Sequence, residues 1–287
     1  MKRLSCNLEY LTRLMNRVWS GMISGIKALR AAWMFEPQSV QDALNKFELR
    51  LIGKKANELG WKFDKDEDHI MVKFKALMFG AAGKAGDPDV KAAALQMFSN
   101  FVKGDKAAIW PDIRDHTFSM ATQYGGEKEY NALLDIYLHP PSEEVKISAL
   151  CALGVARTHS LIERTLELSI SKDVKYQDMP SLLAGLHGHK NGVLRLWEWA
   201  KENWNEIARI LSVPVIILGH VVKIITSGLI TLEHLAEVET FFKFKSTAGF
   251  DKSLGQSIDS IKSKHKWVQR DASDVRDYLI ENGYLDK

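Results

Sequence analysis

Residues 174–204 read VKYQDMPSLLAGLHGHKNGVLRLWEWAKENW, and their periodicity decides the fold class. Met179, Leu182, Leu183 and Leu186 recur at three- and four-residue spacing, the signature of one apolar helix face. Asp178 stands where a cap belongs, and Pro180 sits in the first turn, where a missing N–H costs little. Gly188-His189-Lys190-Asn191-Gly192 interrupts the pattern as a short polar loop. A second segment then sets Leu194, Trp197 and Trp204 on one stripe, with Trp199 off its edge. Helix, tight polar turn, helix is the repeating unit of an α-solenoid.

Outward from this hairpin the helical period persists in both directions. Leu8 to Trp33 reads as one long helix with Leu8, Leu11, Met15, Val18, Met22, Ile26, Leu29 and Trp33 as its inward stripe. Leu14, Trp19, Ile23 and Ala32 widen that apolar arc, so part of it is expected to need a cover from outside the chain. Ser39 offers a cap to the next helix, and Asp64, Asp66 and Asp68 read as acids at a helix start rather than a calcium loop, which would need a glycine and a terminal glutamate. Gly86-Asp87-Pro88 is a stop-and-start signal. Gly80 and Gly83, on the helix before it, suggest close packing and lack the lysine and hydroxyl residue of a phosphate loop. Further helices follow from Pro111, Tyr130, Ser142 and His159. Val213–Ser227 is apolar enough to be expected deep in the core; Thr231 caps a run to Lys245; Phe250–Trp267 and Ala272–Asn282 read as two last helices. The expected fold is all-α: a single domain over residues 1–287, an irregular HEAT- or armadillo-like solenoid of antiparallel helix pairs.

Composition narrows the function. Of 287 residues 46% are hydrophobic and 26% charged, ordinary for a globular protein, and the net charge of +3 with interspersed signs gives no nucleic-acid footprint. Cys6 and Cys151 make no disulfide framework; Cys151, in an apolar run, reads as a buried thiol. No apolar run is long enough to span a bilayer, and neither a membrane nor a nucleic acid is expected as partner. The two cysteines suit a reducing compartment, and the expected location is cytoplasmic.

The same stretch resembles the C-terminal helical domain of the puromycin-sensitive and alanyl zinc aminopeptidases. The shared residues are Val174, Gln177 and Asp178, then Trp197, Trp199, Asn203 and Trp204. The likeness continues through Val238-Glu239-Thr240-Phe241-Phe242, Trp267-Val268-Gln269-Arg270-Asp271 and Tyr278 to Tyr284, and upstream at Leu59-Gly60-Trp61 and Tyr124-Gly125-Gly126, beginning near Glu9. It implies a non-catalytic cap that shapes a peptide chamber and governs domain closure during removal of N-terminal residues from peptides. The alternative is a free-standing helical-repeat scaffold, descended from such a domain, that binds a protein or peptide.

Chemistry is missing from the chain itself. A zinc aminopeptidase holds its metal with two histidines one turn apart and activates water with the glutamate between them. No His-Glu-x-x-His occurs here; the one Glu-His pair, Glu233-His234, has no second histidine four residues on, and the family's Gly-x-Met-Glu-Asn is absent. No catalytic or metal residue is therefore assigned and no cofactor is expected in this chain; the resemblance places zinc in a catalytic domain lying elsewhere. Enzyme activity is expected only as part of, or by descent from, such an enzyme. In some family members a basic side chain in the central loop holds a peptide's terminal carboxylate. That position is Gly188 here, and His187, His189 and Lys190 are the candidates to substitute. The expected partners are a peptide or an aminopeptidase catalytic domain, with weak self-association through the N-terminal helix.

Overall fold

The computed structural model describes residues 2–286, with side chains from residue 13 onward. Among them the only regular structure is helical. Of the described residues, 2–31, 36–120 and 274–286 make one compact unit, and 32–35 and 121–273 a second.

The first unit is built from α1 (Lys2–Ala32), α2 (Gln38–Leu59), α3 (His69–Ala85), α4 (Pro88–Val102) and most of α5 (Arg114–Tyr124). Local chemistry sets its boundaries. The Asp68 carboxylate accepts from the Ile70 and Met71 N–H groups at 3.0 and 3.2 Å, the helix-start role expected of the acidic cluster. Gly86 ends α3 in the left-handed region at φ 93°, and Asp87 caps α4 by accepting from Asp89 and Val90 at 3.1 Å. Ser39 is not the cap of α2: that helix starts at Gln38, behind Pro37, with no side-chain cap.

The two α3 glycines do what their spacing suggests. A Cβ on Gly80 would stand 2.5 Å from the His116 ring, and one on Gly83 would overlap the Met120 sulfur, so α5 lies directly on the α3 backbone. Phe74, Met78, Phe79, Phe98 and Phe118 fill the core around this contact. The expected inward stripe of α1 is corrected. Met15, Val18 and Met22, with Leu14, are exposed, and only Ile26 is buried on that part of the helix. Helical period reports that a face is apolar, not that a neighbour covers it. Cys6, Leu8 and Leu11 lie outside the described side chains.

The second unit holds α6 (Glu127–Leu138), α7 (Glu143–Leu153), α8 (His159–Ser169), α9 (Met179–Ala184), α10 (Lys190–Glu202), α11 (Trp204–Ile210), α12 (Val215–Ser227), α13 (Leu232–Phe242) and the larger part of α14 (Asp251–Glu281). Ser142 and Thr231 cap α7 and α13 as expected, accepting from Val145 at 3.3 Å and His234 at 3.2 Å. Trp197, Trp204, Phe241, Phe242 and Phe250 pack edge to face in one aromatic cluster, with ring centroids 5.0–6.0 Å apart. Trp199 belongs to the same core.

Four expectations change here. The last two helices are one, α14, because residues 268–271 contain neither glycine nor proline to stop it. Helix α13 ends at Phe242, three residues before Lys245. Cys151 is half-buried rather than enclosed. Only one face of α12 is buried, through Leu218, Val221, Val222 and Ile225; Val213 and Ile216 are exposed, since a stretch apolar on every side does not reveal which side meets the core.

Candidate functional site

The candidate residues lie in the second unit at the junction of α9 and α10. Buried Met179, Leu182, Leu183 and Leu186 pin α9 and the 3-10 turn at 185–188 that continues it. Asp178 precedes α9 without a side-chain cap bond. What reads as a five-residue polar loop is much shorter: α10 starts at Lys190, and His189 is its N-cap.

Both histidines are built into the protein through hydrogen bonds on each ring. The His189 Nδ1 accepts from the Gly192 N–H at 3.1 Å, so its proton sits on Nε2, which donates to the Ala156 carbonyl at 2.9 Å. The His187 Nε2 donates to the Ile224 carbonyl at 2.6 Å, and its Nδ1 accepts from the Ser227 hydroxyl at 3.0 Å. Burial pushes both imidazoles below the usual histidine range; the carbonyls of Ile224 and Ala156 oppose the shift, and Lys264 and Arg157 add to it. Each ring is therefore a neutral clamp, tying α9–α10 to the end of α12 in one case and to residue 156 in the other. Lys264 closes the same corner, donating to the Ser227 carbonyl.

Of the three candidates, Lys190 alone is exposed, its ammonium 5.4 Å from the Phe35 ring centroid. Gly188, between the histidines, is also exposed, and nothing lies within 4 Å of where its Cβ would be. The turn thus presents one cation and one open position on a rigid base.

His234, weighed from sequence only as a metal ligand, has a capping role instead. Its Nδ1 faces the Thr231 and Ile230 N–H groups at 3.4 Å while Thr231 caps α13, a box with histidine in the usual glutamate place. The Thr231-x-x-His234 spacing was the available signal. Also unforeseen is the Glu237 carboxylate, which accepts from the Trp197 indole at 2.9 Å and from Lys201 at 3.0 Å and lies below the usual carboxylate range because of them.

Among the described residues no other constellation supports chemistry. A hollow of about 240 Å³ lined by Tyr130, Leu134, Arg164 and Asp173 is small, and Arg164 there is engaged by Glu127 and Asn131 at 3.3 and 2.8 Å. Among the described residues no three His, Cys, Asp or Glu side chains converge as metal ligands, so the donor set does not fit a catalytic zinc. Nor is any helix among them long and apolar enough to cross a membrane.

Comparison with known proteins identifies the family. The family model of the ERAP1-like C-terminal domain matches residues 8–263. The chain is 40% identical over 267 residues to "Aminopeptidase 2, mitochondrial" of Saccharomyces cerevisiae, covering 93% of this chain and 28% of that protein. It is 37% identical to the Alanine/arginine aminopeptidase of the same yeast, again over 93% of this chain and 31% of the relative. It is 26% identical to Aminopeptidase M1-B of Oryza sativa subsp. japonica, over 77% of this chain and 25% of the relative. The chain therefore spans about a third or less of the aminopeptidases it matches. With a family match running through both helical units, this chain belongs to the ERAP1-like C-terminal domain family.

Proposed function

We propose that the chain acts as the non-catalytic C-terminal cap of a zinc aminopeptidase, shaping the chamber that receives peptides and controlling its closure. The observation that carries this reading is the family match over residues 8–263 in a chain corresponding to under a third of the relatives' length. In this reading residues 1–287 work as one domain of solenoid character, both units being spanned by the family match. Zinc and the hydrolytic residues belong to the catalytic part, and the working compartment is the cytoplasm, consistent with the chain's two cysteines.

The turn at the start of α10 is the proposed peptide contact. Lys190 meets the carboxylate, while His187 and His189 hold the backbone that presents it. Leu14, Met15, Val18 and Met22 form the exposed face that the catalytic part, or weakly a second copy, covers. The experiment is to purify the chain alone, assay it on aminoacyl fluorogenic substrates and measure its metal content. No turnover and no stoichiometric zinc are expected. Chelator-sensitive hydrolysis that copurifies with the chain refutes the cap role.

A further inference from the structure

The second unit carries a protruding apolar tip that the peptide contact does not use. Val213, Ile216 and Phe244 are 90%, 79% and 88% exposed. They come from two places in the sequence that the fold brings to one end. Residues 213–216 span the start of α12, and Phe244 lies in the link between α13 and α14. Val215 packs so tightly on Gly249 that a Cβ at 249 would overlap its methyl, so the start of α12 abuts the link that carries Phe244.

The surroundings of this tip are basic. Phe244 stands between Lys243 and Lys245, and residues 243–252 contain three lysines against one carboxylate, Asp251. The Lys243 ammonium lies 5.3 Å from the Phe244 ring centroid, and Lys245 lies 3.9 Å from that of Phe241. Farther along the exposed side of α12 come His220 and Lys223.

Near-complete exposure means that these side chains project from a convex surface. A rigid protein partner would need a matching socket for each of them, whereas a bilayer interface yields around apolar side chains and takes up lysine stems with their ammonium groups at headgroup level. The excess of lysine selects a negatively charged leaflet.

We propose that Val213, Ile216 and Phe244, with Lys243, Lys245 and Lys252, form a peripheral docking tip for an anionic lipid surface. The contact is shallow and reversible, and it is independent of the cap role, since it uses no residue of the α9–α10 turn.

The test is co-sedimentation of the full chain with phosphatidylcholine vesicles, with and without phosphatidylserine, at low and high salt. Binding is expected only with phosphatidylserine and should weaken as salt rises. One lysine near the surface contributes about a fivefold gain in partitioning, so the K243Q/K245Q variant should bind roughly 25-fold more weakly. Ile216→Ser/Phe244→Ser should abolish binding while circular dichroism and the melting temperature stay at wild-type values, because both side chains are exposed. Absence of vesicle binding by the wild type overturns the proposal. So does full binding by either variant. Self-association that Phe244→Ser abolishes, without vesicle binding, assigns the tip to a second copy and overturns it equally.

Discussion

Replacing His189 tests whether the α9–α10 turn is held as described. In His189→Ala two interactions disappear together. Loss of an N-cap costs about 0.5–2 kcal/mol, and leaving the Ala156 carbonyl without its donor costs roughly 1–3 kcal/mol more where it is shielded from water. The sum, about 1.5–5 kcal/mol, is a large share of the roughly 5–15 kcal/mol typical of a folded domain. His189→Asn separates the two parts: asparagine caps well but is too short to reach Ala156, so it should recover about 1 kcal/mol of the loss. The interaction is also pH-dependent. Folding lowers the His189 pKa, so its contribution is complete above the unfolded value near 6.5 and is lost as pH falls from there through the folded value. Protonation would place a hydrogen on Nδ1 against the Gly192 N–H. Urea melts of the three proteins between about pH 8 and pH 5 should show the variants losing less stability than the wild type on acidification. His187, His116 and His234, also lowered chiefly by burial, leave a residual slope in all three. A His189→Ala protein as stable as the wild type, or with the same acid sensitivity, refutes the clamp.

Gly80→Ala presses a methyl into the His116 ring and should cost about 1–3 kcal/mol in denaturant melts, the usual range for overpacking; an unchanged midpoint would mean α5 gives way freely. Gly188→Arg fills open space beside Lys190, so folding should be unaffected while peptide affinity, read by fluorescence anisotropy, rises by roughly tenfold or more through one charge-assisted bond; unchanged affinity removes this turn from the peptide contact. If the exposed α1 face mediates weak self-association, Val18→Glu should abolish the concentration dependence of the sedimentation coefficient; a wild type that stays monomeric at every concentration excludes the second copy as cover.

Some of this protein could be read directly from its sequence because the physics involved is local. Gly86-Asp87-Pro88, Ser142 and Thr231 mark boundaries through groups at most three residues from the backbone they satisfy. Helix period likewise identifies α10 and its tryptophans. Burial is different, since it depends on what the fold places opposite. Trp199 sits off the main stripe yet is buried, while Val18 sits on one and is exposed. The candidate site was legible as a place and not as a mechanism. The partners of His187 and His189 are Ile224, Ser227 and Ala156, which lie 33–40 residues away in sequence. No spacing rule connects them, and the short glycine-flanked stretch gives the appearance of a solvated loop.

The proposed cap role has this chain supporting catalysis only as part of an aminopeptidase. The most direct measurement is to replace the matching segment of Saccharomyces cerevisiae Aminopeptidase 2 with this chain and compare hydrolysis of single-residue fluorogenic substrates and longer peptides with that of the enzyme lacking the segment. The hybrid should regain peptide hydrolysis, and Lys190→Ala should impair it more on longer peptides than on single-residue substrates. A folded, zinc-loaded hybrid no more active than the enzyme without the segment would contradict the cap role.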